Sequence, residues 1–199
     1  LVYEVLWSKY LSLTFGTTLL AVSTVTANFM GGLALGSFLL GRYADRSQKL
    51  LRIYALLELL IAAWALAFPF LISVVGRIYA ILHRDFPDHP VFSALLYFSL
   101  SALVLLPPSV CMGGTLPVMC KFFGRKNLRT AIGKLYALNT LGAASGAFAA
   151  GYFLIPALGL SATGFLAVLL NAMAALAAWG LSRRIESTNR LKEGPGISL

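Results

Sequence analysis

Three ionisable side chains stand inside otherwise apolar stretches of the sequence: Glu4, Lys9 and Glu58. A charge at the centre of a membrane helix costs roughly 2.5–3.5 kcal/mol on insertion scales, so each must be paired, led to the interface or put to use. Glu4 and Lys9 lie five residues apart and share a helical face only imperfectly. Glu58 lies less than two turns beyond Arg52, so local pairing with Arg52 or Lys49 is one reading of it. The other is chemical: two glutamates facing one cavity suit a cationic substrate or a coupling proton.

A second group sits in the segment LVLLPPSVCMGGTLPVMC, residues 103–120. Pro107 and Pro108 lack the N–H groups that would bond the carbonyls of Leu103 and Val104, and Gly113 and Gly114 weaken the helix beyond them. A non-helical break at membrane depth is tolerated where it is buried in protein or lines a cavity. The sequence therefore predicts an interrupted helix whose free carbonyls, with the hydroxyls of Ser109 and Thr115, could coordinate a cation. The alternative is a kink made for packing.

The elements that must position these groups follow from composition. Of 199 residues, 59% are hydrophobic and 12% charged, and the mean hydropathy is +0.82. An ordinary soluble domain carries about twice that share of charge. A soluble enzyme domain, a disordered tail and a disulfide scaffold are excluded, and an all-α membrane bundle remains. Cys111 and Cys120 lie along one apolar helix that holds them apart. The net charge of +9 suits membrane loops rather than nucleic acid, because the basic residues cluster between apolar runs.

Hydropathy and turn residues predict about six spans: 1–16, 18–41, 51–74, 91–119, 131–155 and 162–182. The first is expected to be a truncated helix, a Gly16–Thr18 turn to follow it, and a short amphipathic helix to fill 75–86. Residues 1–182 form the bundle, and 183–199 a polar cytoplasmic tail or linker to a further domain. Every second loop is basic: Arg42, Arg46, Lys49 and Arg52, then Lys121, Arg125, Lys126 and Arg129, then Arg183, Arg184, Arg190 and Lys192. The positive-inside rule puts these loops and both termini in the cytoplasm.

The second and fifth spans echo each other. Gly32-x3-Gly36-x4-Gly41 matches Gly142-x3-Gly146-x4-Gly151, and Asn28 and Asn139 precede the two runs. Small residues at this spacing let helix backbones approach closely. The correspondence of spans one to three with four to six predicts a 3+3 inverted repeat, a transporter plan. Neither a metal site nor a nucleophile–base set is visible. His83, Asp85, Asp88 and His89 are too loosely spaced for a metal, and no cofactor motif occurs.

Two family resemblances rest on these segments. The loop Gly41-Arg-Tyr-Ala-Asp45-Arg46-Ser-Gln-Lys49 resembles the signature between helices two and three of the major facilitator superfamily, where it implies a latch at the cytoplasmic face. Gln48 stands where that signature carries a second glycine. YEVLWSKYLSLTFG, AVSTVTANFMGGLALGSFLLGRYADR, LLPPSVCMGGTLPVM and GKLYALNTLGAASGAFAAGYFLIPALGL, in that order, resemble the membrane domain of spermidine synthase-like integral membrane proteins. The resemblance implies a facilitator-like half bundle in a bacterial inner membrane, followed by a cytoplasmic aminopropyltransferase-type domain. None of that domain's catalytic motifs is present: GAASGAFAAG lies in an apolar helix rather than after a strand. Two functions are thus expected to compete. One is moving or channelling a polyamine or related small cation. The other is anchoring a cytoplasmic aminopropyltransferase-like enzyme without transport.

Overall fold

In the computed structural model, residues 1–15, 19–85, 90–124 and 128–192 are described, and all of their regular structure is helical. The helices are α1 (Val2–Phe15), α2 (Leu19–Arg46), α3 (Leu50–Asp85), α4 (Pro90–Phe123), α5 (Leu128–Ala149) and α6 (Ile155–Lys192), with a π-helical turn at Ala150–Leu154 joining the last two. The stretches Val22–Arg46, Leu50–Leu82, Val91–Phe123 and Arg129–Ser187 are long and apolar enough to cross a membrane. The protein is a membrane-embedded helix bundle.

The count of spans is coarser than the sequence predicts. Helix α1 has 14 residues, about 21 Å at 1.5 Å per residue, which is short of a hydrocarbon core of about 30 Å. Five long helices therefore accompany one short one. The amphipathic segment after 74 is a continuation of α3, because Pro69 removes one helical bond without stopping the helix. Helix α6 likewise runs past 182 to Lys192. The turn expected at Gly16–Thr18, residues 86–89 with Asp88 and His89, and residues 193–199 of the tail lie outside the described residues, as do the side chains of His83 and Asp85.

One residue reverses the last long stretch. Gly159 has φ 80° and ψ 174°, and only glycine reaches that region without strain. Leu128 follows closely on the end of α4, and Glu186 returns to pair with Arg52 at the start of α3. Helix α5 therefore leads away from the end of the bundle to which α6 comes back. At that end Lys121 Nζ donates to the Ala44 carbonyl at 2.7 Å and lies 3.4 Å from Asp45. These ties gather the basic residues of the α2–α3 loop, the end of α4 and the end of α6 at one end of the bundle.

The core forms where α1 lies against α2, α3 and α4. Tyr3, Leu6, Trp7 and Leu11, spaced to make one face of α1, meet Val25, Phe29, Ile61, Phe68, Ile72, Val104 and Leu105. Tyr3 stacks on Trp7 with centroids 5.2 Å apart, and Trp7 on Phe68 at 4.9 Å.

Helices α2 and α4 approach most closely. A Cβ at Gly36 would collide with the backbone of Val110, and one at Gly32 with the side chain of Ser109. From the other side, a Cβ at Gly113 would strike the backbone of Leu33, and one at Gly114 the side chain of Leu40. The glycines of α4 are notches for α2, which corrects the expectation of a broken fourth helix: α4 is continuous through Pro107, Pro108 and Pro117. Neighbouring donors make this possible. Trp64 Nε1 donates to the Val104 carbonyl at 2.9 Å, which is the group that Pro108 leaves unbonded.

The corresponding glycines of α5 differ. At Gly146 a Cβ would lie 3.1 Å from the side-chain tip of Val2, while at Gly142, and at Gly151 in the π-helical turn, nothing among the described residues lies within 4 Å. The close packing expected at Gly142 and Gly151 is not made, because α5 touches its neighbours along a narrow strip and exposes most of its surface. Gly41 is in ordinary contact with Pro117 at 3.6 Å. Gly36→Leu should therefore destabilise the bundle by about 1–3 kcal/mol or prevent folding, while Gly142→Leu should stay within about 0.5 kcal/mol. Thermal unfolding in detergent measures both, and equal losses at the two positions would contradict the packing described.

Candidate functional site

Glu58 is carried by the third turn of α3 and is only 9% exposed. The sequence offers it Arg52 and Lys49 as partners, but the structure gives it neither. Arg52 pairs with Glu186 of α6 and lies over the Trp179 ring, 5.9 Å from its centroid. Among the described residues no cation pairs with Glu58. Its neighbours are phenols instead. Tyr54, one turn earlier on the same helix, is on the same face as the carboxylate and close enough to influence it. Tyr3 of α1 is close enough to feel its charge, and among the described residues the buried Tyr3 hydroxyl has no hydrogen-bond partner.

This arrangement follows from helical spacing. Tyr54 and Glu58 are four residues apart and so share a face. Tyr3 is brought in by the aromatic stack that seats α1. Tyr3 also lines a cavity of about 100 Å³ between α1, α3 and α6, walled by Trp7, Tyr10, Phe68 and Phe165. The cavity offers a phenol acceptor and a cation–π surface that can receive an ammonium group, and Tyr3 links it to the Glu58 carboxylate, which does not itself line it.

The other residues singled out in the sequence lie elsewhere. Ser109 is fully buried and donates to the Leu105 carbonyl at 2.6 Å. Thr115 Oγ1 donates to the Met112 carbonyl at 2.7 Å. Both hydroxyls thus bond their own helix, and the Val104 carbonyl is taken by Trp64. Glu4 and Lys9 line a separate cleft beside α1 with Gly151. Asn28 is 3% exposed and donates to Ser101 Oγ at 3.0 Å, tying α2 to α4, whereas Asn139 of α5 is exposed. Asp45 lies beside Lys121 and Arg46 is exposed.

Tyr3, Tyr54 and Trp64 were missed by reading the sequence alone. Tyr54 was findable from its four-residue spacing to Glu58. Tyr3 and Trp64 gain their roles only from contacts between helices. No family model, curated protein or solved structure matches this chain.

The two phenols should respond differently to loss of the hydroxyl. Tyr54→Phe removes a partner of a buried carboxylate and should cost about 1–2 kcal/mol. Tyr3→Phe removes an unpaired hydroxyl and should leave stability within about 0.5 kcal/mol or raise it. Thermal unfolding of the two variants checks this, and a larger loss for Tyr3→Phe would reverse the assignment.

Proposed function

We propose that this chain is the membrane module of a spermidine synthase-like protein and that it moves or channels a polyamine or a related small cation. The observation that carries this reading is Glu58: a nine-tenths-buried acid that among the described residues has no base beside it and lies near a phenol whose hydroxyl has no partner. An isolated carboxylate in an apolar surround is destabilising until a cation or a proton joins it. The aromatic wall of the adjacent cavity favours an organic ammonium over a hydrated metal ion.

The pattern of helix packing supports a 3+3 inverted repeat. Exchanging α1 with α4, α2 with α5 and α3 with α6 turns the α2–α4 contact at Gly36 into the α5–α1 contact at Gly146, and both occur. The same exchange turns α3–α4 into α6–α1, and these pairs also touch. Unequal closeness within each pair, and the want among the described residues of an α4–α6 contact as extensive as that of α1 with α3, make the symmetry approximate. The basic end of the bundle is the cytoplasmic one under the positive-inside rule. This orientation leads α6 toward a cytoplasmic aminopropyltransferase-like domain and suits a bacterial inner membrane.

One observation favours the second reading, an anchor without transport. The bundle centre beside α4 is filled by Phe29, Phe68, Leu6, Leu11 and Leu105, all nearly inaccessible, and α4 is unbroken. A filled centre holds an enzyme at a membrane without passing anything.

Uptake separates the two. Glu58→Gln keeps size and removes charge. In proteoliposomes loaded to follow labelled spermidine and putrescine, it should reduce uptake or binding at least about tenfold while leaving the unfolding temperature nearly unchanged. No uptake or binding by the unaltered protein, or full activity of the variant, supports the anchor instead. Orientation is tested in a background with Cys111 and Cys120 replaced by serine. An impermeant thiol reagent applied outside cells should label Arg84→Cys at the far end of α3 and spare Ser47→Cys. The opposite pattern would invert the topology.

A further inference from the structure

The basic end of the bundle holds a pocket that neither buried acid lines. It encloses about 240 Å³ and is walled by Lys49, Leu50 and Leu51 where α3 begins, by Phe122 near the end of α4, and by Ser182 and Glu186 of α6. Lys49 is exposed and among the described residues makes no ion pair. The acid on the α6 wall, Glu186, is paired with Arg52, so its charge is already matched. Arg183, next to Ser182 in the chain, lies over the Trp179 ring, 5.8 Å from its centroid, and adds a further positive charge nearby.

The start of α3 supplies donors. The Lys49 N–H donates to Ser47 Oγ at 3.2 Å, and the Arg52 and Ile53 N–H groups share the Lys49 carbonyl, each at 3.1 Å. Leu50 and Leu51 stand between these donors, and as the first two helical residues their N–H groups have no carbonyl of α3 to bond. Helical N–H groups point toward the N-terminus, where the macrodipole places roughly half a positive charge. Ser182 is an independent sign of a ligand. It is only 7% exposed, and it lines the pocket. Ser101 and Ser109, also buried, each bond the carbonyl four residues back, whereas among the described residues the Ser182 hydroxyl bonds nothing. A buried hydroxyl left unpaired is costly, and the pocket is the space from which an acceptor can reach it.

We infer that this pocket binds a phosphate group, whose oxygens accept from the Lys49 ammonium, the first N–H groups of α3 and the Ser182 hydroxyl. Helix N-termini receive phosphate because unbonded N–H groups and the dipole act together there, and a lysine and a hydroxyl beside them add charge and a further donor. These groups offer donors and positive charge, so a cation is repelled and a ligand of acceptor oxygens is received. A carboxylate has two oxygens in one plane. A phosphate has oxygens turned in several directions and meets donors from α3 and α6 at once. Two sources carry that group at a membrane surface: an anionic phospholipid, for which basic pockets between membrane helices are suited, and a soluble phosphate ester.

Titration of the whole chain in a non-ionic detergent, freed of co-purified lipid, tests it with glycerol 3-phosphate, dihexanoyl phosphatidylglycerol and succinate. A phosphate probe should bind, about tenfold or more weakly after Lys49→Gln and several-fold more weakly after Ser182→Ala. Preference for the ester or for the lipid names the source, and either supports the inference. Arg42, which lies over the Phe38 ring, is at the same end but outside the pocket, and Arg42→Gln should leave binding within about twofold. Unfolding temperatures without ligand establish that each variant folds, and Lys49, being exposed, keeps the test open whatever Ser182→Ala does to folding. Equal weakening by Arg42→Gln and Lys49→Gln shows a diffuse basic surface and overturns the pocket. Binding unaffected by both Lys49→Gln and Ser182→Ala overturns it as well. Succinate bound as tightly as the phosphate probes overturns the choice of ligand, and binding of neither phosphate probe overturns the site.

Discussion

The contact of α2 with α4 at backbone distance is the constraint on which the rest of this bundle depends. Lipid is as apolar as a leucine side chain, so helices in a membrane are held by close packing and hydrogen bonds rather than by exclusion of water. Here the glycines interlock in both directions: Gly32 and Gly36 receive Ser109 and Val110, while Gly113 and Gly114 receive Leu33 and Leu40. Asn28 adds a buried bond to Ser101 across the same seam, and Lys121 ties the ends together through the Ala44 carbonyl. A seam this close cannot slide without collision. It explains why α4 remains helical through three prolines: its outline is fixed by α2, and α3 supplies the donor from Trp64 that the Val104 carbonyl would otherwise lack.

Rigidity on that side is matched by openness on the other. Among the described residues Gly142 of α5 and Gly151 of the π-helical turn have nothing against them, and the one tight glycine of α5, Gly146, meets a side-chain tip on α1. The two halves of the chain therefore share a plan of contacts without sharing their closeness. The cleft lined by Glu4 and Gly151 lies between α1 and the π-helical turn, and the cavity lined by Tyr3 lies where α1 is held by an aromatic stack. Polar groups have collected around α1, the shortest helix, whose position is set by rings rather than by backbone interlock.

The membrane character, the helix order and the alternation of basic loops were legible in the sequence because each depends on local composition. The reversal near Pro156 was legible for the same reason, and Gly159 carries it. The glycine pattern of α2 was legible as a packing stripe, but the identical pattern in α5 was not distinguishable from it, since spacing tells which residues share a face and not whether a neighbour is there. The α4 expectation failed on a related point. Proline removes a local bond, and only the tertiary structure shows whether Trp64 or Ser109 compensates. The same limit applies to Glu58: sequence distance suggested Arg52, but Arg52 was claimed by Glu186, 134 residues further on.

The two buried or half-buried acids illustrate how environment rather than residue type assigns a role. Glu4 and Glu58 carry the same carboxylate, and both sit on helices of a membrane bundle. Glu58 has Tyr54 one turn away on its own helix and Tyr3 of α1 within reach of its charge, and among the described residues it makes no ion pair. Glu4 shares the cleft beside α1 with Leu1 and Lys9, so its charge is one among several. The same carboxylate is thus a lone acid in one place and part of a mixed group in the other, and the difference is made by the helices packed against each rather than by the residue itself.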